Sequence, residues 1–287
     1  MAKQVHSLQR DKAGKCIFCG EPGLSRTHVW PKWLHNLLTK RDVHRIESSS
    51  TPRHRPSAGI TGRMKQGSIF NVKPRLACIV CNTGWMKGFE DDVETFAKPL
   101  FSSHAPVVLD EQQVRALARW IALLAILAEH LDRESLIVSK SEMEHVRLHR
   151  EPPPQWSIFS ASLDGDVWRA NYAHLTKFVG QFSSREEYER AVNEYWPRNS
   201  KLTSFGIGSV FFQIFSCPDT RFISDYRLTS EKAGLIPLWP PAPARLWPYR
   251  KEGTAQYPTQ LVLNDAAAEY LSNAYSERIS RLADFHT

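Results

Sequence analysis

The sequence predicts an α+β protein, and three features carry that prediction. Two Cys-x-x-Cys pairs, Cys16–Cys19 and Cys78–Cys81, bracket a long insert near the start of the chain. An apolar stripe at helical spacing runs from Val114 to Leu131. Strand-like stretches follow at 156–162, 167–173 and 204–215. Two domains are expected, residues 1–105 around the cysteines and an α+β unit over 106–287. A chain of 287 residues is long enough to bury a sizeable core.

Residues 1–15 are polar and basic. Cys16 to Cys19 predicts a tight turn, with Gly20 and Pro22-Gly23 closing a loop. Ser25 to Val29 reads as extended chain. Pro31 suits the first position of a helix, where its missing N–H is not needed. Trp30, Trp33, Leu34, Leu37 and Leu38 give that helix one apolar face. Residues 41–66 change character, with Arg41, Arg45, Arg53, Arg55, Arg63 and Lys65 and little apolar periodicity. The stretch reads as a basic insertion, either a phosphate-gripping loop or a solvated linker. Strand fragments are expected at 68–73 and 75–77. Past the second cysteine pair, Trp85, Met86, Phe89 and Val93 repeat at helical spacing, with Glu90, Asp91, Asp92 and Glu94 on the other face.

Lys98-Pro99 and His104-Ala-Pro106 mark a boundary near 105. Asp110 predicts an N-cap for the next helix and Glu111 favours its first turn. Glu151-Pro-Pro-Pro154 stops any preceding helix. Leu163-Asp-Gly-Asp166 between two strand-like runs reads as a hairpin turn. Ser183-Ser-Arg-Glu-Glu187 carries a capping signature. Residues 204–215 read as one buried strand or two joined. Residues 235–249, with Trp239, Trp247 and five prolines, read as an irregular cover. Asn264-Asp265 caps a final helix.

The formal charge of +7 makes a polyanion a plausible partner, although a merely soluble basic protein has the same balance. The N-terminus lacks a signal-peptide apolar core, and the most apolar run, Trp120 to Ala128, is too short to span a bilayer. Five cysteines, four of them in two pairs, fit a reducing compartment better than a disulfide scaffold. The expectation is a soluble cytoplasmic protein.

Thiolates at this spacing close a tetrahedral zinc site, each pair supplying two ligands from one turn. Cys16, Cys19, Cys78 and Cys81 are therefore the expected ligands of a structural Zn²⁺. Four buried free cysteines are the alternative. Knuckle, hairpin, second knuckle and helix in that order describe a treble-clef zinc finger. His28, just after the first pair, is a candidate general base, since an imidazole changes charge near neutral pH. Asn82, following the last cysteine, can offer an amide oxygen to a hard cation or cap the helix. Arg26, beside His28, is a candidate phosphate contact.

The combination Cys16-x-x-Cys19, His28-Val-Trp-Pro-Lys-Trp-Leu34 and Cys78-Ile-Val-Cys-Asn-Thr-Gly-Trp-Met86 resembles the HNH endonuclease superfamily. The likeness covers roughly residues 14–95, and the helix near Asp110, with Leu117-Ala-Arg-Trp120, shares it. The resemblance implies a zinc-supported ββα-metal module that hydrolyses nucleic acid, DNA foremost. It implies His28 as the base, Asn82 as ligand of a catalytic Mg²⁺ or Mn²⁺, and Asn71 as the residue orienting His28. Lys87 and Arg63 join Arg26 as expected nucleic-acid contacts. Restriction, phage defence and mobile elements are settings for such an enzyme. Two departures stand out. Thr27 occupies the place where an acidic metal ligand is usual, and Trp85 and Met86 replace a usual lysine, with Lys87 close by. Thr27 keeps a second reading open, a non-catalytic zinc module that binds nucleic acid. A third is a protein-binding module that zinc merely stabilises.

Overall fold

A computed structural model describes residues 14–38, 43–49, 64–66, 72–102, 107–131, 135–177, 179, 184, 186–187, 190, 198–240, 255–257 and 261–282. The architecture is α+β, as the sequence predicts. The first part opens with the Cys16–Cys19 turn and strand β1 (Leu24–Arg26). A short 3-10 helix (Lys32–Asn36) follows, then β2 (Val43–Ser49) and β3 (Met64–Gln66). Next come β4 (Arg75–Cys78), α1 (Ile79–Thr83) and α2 (Trp85–Ser102). Pro31 precedes the 3-10 helix with extended backbone, ψ 153°, and so sits one place ahead of its expected position. The helix after the cysteines begins at Ile79, inside the second pair. There the Cys78 sulfur caps it by accepting from the Cys81 N–H at 3.5 Å.

Helix α2 runs through Pro99 and ends at Ser102, and its apolar face continues past the proline. Val93, Ala97, Leu100 and Phe101 are all buried. Its C-terminal carbonyls are capped from far along the chain. Ser209 donates its hydroxyl to Leu100 O at 2.8 Å and its N–H to Phe101 O at 3.1 Å. The neighbouring Gly208 has φ +59°, and a Cβ there would meet Phe101 O at 1.9 Å, so only glycine brings the turn this close.

The second part comprises β5 (Val107–Leu109), α3 (Glu111–Glu129), α4 (Lys140–His149), β6 (Trp156–Leu163), β7 (Ala170–Lys177), β8 (Ser200–Ile207) and β9 (Val210–Ser216). It continues with α5 (Thr220–Lys232), β10 (Ile236–Trp239), β11 (Ala255–Tyr257), β12 (Val262–Leu263) and α6 (Asp265–Leu282). Asp110 caps α3 in a reciprocal capping box with Gln113. Asn264 receives the Ala267 N–H at 2.8 Å at the start of α6. Of the capping signature near 183, the described contact is Glu187 N–H to Ser184 Oγ at 3.2 Å.

The main sheet has the order β10-β6-β9-β8-β7-β2-β3, with β12 also pairing β6. Strands β6 to β9 form a Greek key, since β7, β8 and β9 are successive neighbours while β6 lies beside β9. The expected hairpin at 163–166 is therefore absent. Strands β6 and β7 are separated by β9 and β8, because the Asp-Gly loop is held by a distant residue. Asp265 accepts the N–H groups of Asp166, Val167 and Trp168 at 3.0, 3.1 and 2.8 Å. The 204–215 run is two strands joined at Gly208-Ser209.

Both faces of this sheet are covered, which is why β6, β8 and β9 are buried at every position. Ile158, Phe205, Phe212 and Ile214 belong to one apolar cluster with α3. Phe159, Leu175, Leu202, Phe211 and Phe215 belong to a second with Tyr226, Leu263 and Ala268. The first cluster continues without a break into the cysteine region, from Cys16 to Trp239. Trp33, Phe101 and Trp120 stack at centroid distances of 5.8 to 6.1 Å, and Phe101 meets Phe212 edge-on at 6.0 Å. The 41–66 insertion, expected to lack regular structure, contributes two strands. β2 pairs in parallel with β7 and β3 pairs with β2.

Candidate metal centre

The first cysteine turn is closed by Gly20 N–H to Cys16 O and Cys16 N–H to Glu21 O, both 2.9 Å. It is tied to β4 by Ile17 N–H to Leu76 O at 3.0 Å. β1 pairs antiparallel with β4, and β4 ends at Cys78. These bonds bring the sulfurs of Cys16, Cys19, Cys78 and Cys81 within 4.8 Å of one another. Cys19 Sγ and Cys78 Sγ are 3.6 Å apart. A tetrahedral ion with bonds of about 2.3 Å sets its sulfurs about 3.8 Å apart, so the set fits one metal ion. Cys16, Cys78 and Cys81 are buried and Cys19 is partly so.

The electrostatics agree with the geometry. Burial pushes the Cys81 thiol up to about 12, and burial also raises Cys19. Burial acts the same way on Cys16, but backbone hydrogen bonds from Cys78, Cys19 and Phe18 outweigh it and leave that thiol below its ordinary value. A dication would stabilise the Cys81 and Cys19 thiolates that burial disfavours. Around it Trp85 packs edge-on against Phe18 and Phe89, at 5.0 and 5.3 Å. The Arg150 guanidinium lies 4.9 Å above the Trp85 ring.

The β1–β4 ribbon extends toward His28. Thr27 N–H reaches Pro74 O at 2.9 Å and Val29 N–H reaches Val72 O at 3.4 Å. Arg26 is the direct partner of Arg75. Continuing that register places His28 opposite Lys73. Side chains alternate along a strand, so Arg26, His28, Lys73 and Arg75 share one face of the ribbon. Arg26, Lys73 and Arg75 are exposed and His28 is half-buried. Burial holds the His28 imidazole below its ordinary pKa, helped by Lys73, Lys32 and His35. Its Nε2 is shielded from solvent and has no hydrogen-bond partner among the described residues, so this ring edge must be uncovered before it can meet a water.

Asn82 braces this ribbon. Its Nδ2 donates to Ser25 Oγ at 3.0 Å and Arg26 O at 3.2 Å, and Ser25 Oγ donates to Ala77 O at 3.1 Å. Thr27 is buried at 1 % exposure. Lys87, expected to contact nucleic acid, pairs instead with Asp91 at 2.5 Å and Glu90 at 3.8 Å along α2. Asn71 and Arg63 lie outside the described residues. The donor set for a second, catalytic cation is thin. Thr27 is neutral and buried, and Glu90 and Asp91 are engaged with Lys87.

A second polar node lay beyond sequence reasoning. Glu129 and Lys201, both essentially unexposed, pair at 2.7 Å inside the core. Glu129 also accepts the Ile137 and Val138 N–H groups at 2.5 and 2.6 Å. His174, buried nearby, bonds Thr203 Oγ1 at 2.8 Å and Ser135 O at 3.2 Å. Burial raises the Glu129 carboxyl, but Lys201, His174 and the Ile137 N–H together hold it below its ordinary range.

These features define a four-cysteine cluster fit to hold one metal ion, joined to a three-layer α+β body. Comparison with protein-family models, curated proteins and solved structures finds no match to the chain. No helix among the described residues is long and apolar enough to cross a membrane.

Proposed function

We propose that the cysteine module binds zinc and presents its β1–β4 ribbon to nucleic acid, hydrolysing phosphodiester bonds with His28 as general base. One observation carries the reading: Arg26, His28, Lys73 and Arg75 line one face, with Arg26 directly opposite Arg75. Like charges placed opposite each other in a ribbon are destabilising. A phosphate between them offsets that cost and gains charge-assisted hydrogen bonds from both guanidiniums. His28 on the same face is held neutral, as a base must be at the start of the reaction. It takes the proton from the attacking water while the cations spread the charge developing on the phosphate. The thiolate-bound zinc has a structural part, fixing the ribbon's ends. The donor set for Mg²⁺ or Mn²⁺ is incomplete, since Thr27 is neutral and buried and Glu90 and Asp91 pair with Lys87.

A second reading has its own support. Thr27 is buried and the Asn82 amide nitrogen is committed to β1, which favours a zinc module that binds nucleic acid without cutting it.

Plasmid DNA and a structured RNA, each incubated with the full chain and Mg²⁺ or Mn²⁺, separate the two. The proposal expects cleavage by wild type and none by His28→Ala, with binding retained. Activity should persist somewhat below pH 6.5 and fall as the imidazole takes up a proton. Arg75→Ala should weaken binding and lower the salt slope by about one. Salt-dependent binding without cleavage in either protein supports the second reading. Absence of binding at low salt overturns both.

A further inference from the structure

The last turn of α4 carries two histidines that play no part in the cysteine centre. His145 and His149 are four residues apart, on the same helix face. Their ring centroids are 4.5 Å apart and the planes tilt by 34°. His145 is half-buried and His149 is exposed. The Pro152 backbone carbonyl engages the His145 ring. Such a contact fixes one ring nitrogen as N–H and leaves the other with its lone pair outward, as in histidines that ligate metals.

We propose that His145 and His149 form a chelating site for a divalent transition-metal cation, Ni²⁺ or Cu²⁺ by preference. With metal–nitrogen bonds of about 2.1 Å, a metal lies about 3.2 Å from each ring centre, so rings 4.5 Å apart are within reach of one ion. Imidazole nitrogens favour Ni²⁺ and Cu²⁺ in the usual affinity order of divalent first-row metals. Among the described residues the cysteine set is the only cluster of three or more such ligands, so water completes the sphere at the histidine pair.

The place matters as well as the geometry. Arg150, next in sequence, has left-handed backbone at φ 59° and lies over Trp85, which packs on the first cysteine turn. A metal bridging His145 and His149 locks the helical turn that delivers Arg150 to that contact.

The test uses the full, untagged, zinc-loaded chain titrated with Ni²⁺. Wild type should take up one equivalent by calorimetry, and the ring protons of two histidines should broaden first in the NMR spectrum. Substituting the exposed partner, His149→Gln, should weaken uptake by about tenfold or more. It should also leave the unmetallated thermal midpoint unchanged. Ni²⁺ should raise that midpoint in wild type and not in the variant. Equal affinity in His149→Gln overturns the proposal. So does a nickel–thiolate absorption band, which would place the ion at the cysteines instead.

Discussion

The cysteine module and the large sheet fasten distant parts of the chain by opposite means. In the module, Cys19 and Cys78 meet across 59 positions and four sulfurs are placed to close around one ion. In the body, Lys201 and Glu129 meet across 72 positions and are closed in by a finished apolar core. The module shares the apolar cluster of the body, through Phe18, Trp30, Ala77, Met86 and Phe89, and adds a cysteine set that can take an ion. The body buries both faces of its sheet and can carry the desolvation cost of an internal ion pair. One region can add coordination chemistry to its packing and the other relies on packing. The Trp33–Phe101–Trp120 stack lets the second support the first.

The largest effect should follow from removing the ion. Structural zinc contributes on the order of 10 kcal/mol in small modules. Chelation, or Cys81→Ser, should therefore abolish amide-exchange protection in β1, β4 and α1 while β6, β8 and β9 stay protected. Simultaneous loss across both regions would show that the contrast is wrong.

Breaking the buried pair should come next. Lys201→Met removes the counter-charge of buried Glu129 and leaves it only the Ile137 and Val138 N–H groups, which costs about 3–5 kcal/mol in comparable sites. Adding Glu129→Gln should recover part of this in denaturant titrations. The sign of the pH effect follows from the lowered Glu129 pKa. Its stabilisation is fully present above the unfolded carboxylate value of about 4.5 and is lost as pH falls through the lower folded value. Acid should therefore destabilise wild type more steeply than the double variant.

The smallest effect concerns the brace between the ribbon and the helix. Asn82→Ala removes the bonds to Ser25 Oγ and Arg26 O, and should cost about 1–2 kcal/mol. Exchange at β1 should rise with no change in the sheet.

The same contrast explains what could be read in advance. Local chemistry was legible: the cysteine pairs, the Asp110 capping box and the Asn264 cap each act within a few residues. Long-range chemistry was not. Turn chemistry at Leu163-Asp-Gly-Asp166 pointed to a hairpin because nothing nearby reveals that Asp265 takes the loop's amides. The Glu129–Lys201 pair was invisible because each residue looks ordinary within its own helix or strand. Lys87 looked available for phosphate, yet Glu90 and Asp91 one turn on already occupied it. The shared face of Arg26, His28, Lys73 and Arg75 needed the register between β1 and β4, which spacing alone does not supply.

X-ray absorption on the purified chain, washed with a weak chelator, measures the closing ion directly. One zinc per chain surrounded by four sulfurs at about 2.3 Å is the expected result. A metal-free chain that keeps β1, β4 and α1 folded, or an ion with two or fewer sulfur neighbours, would contradict it.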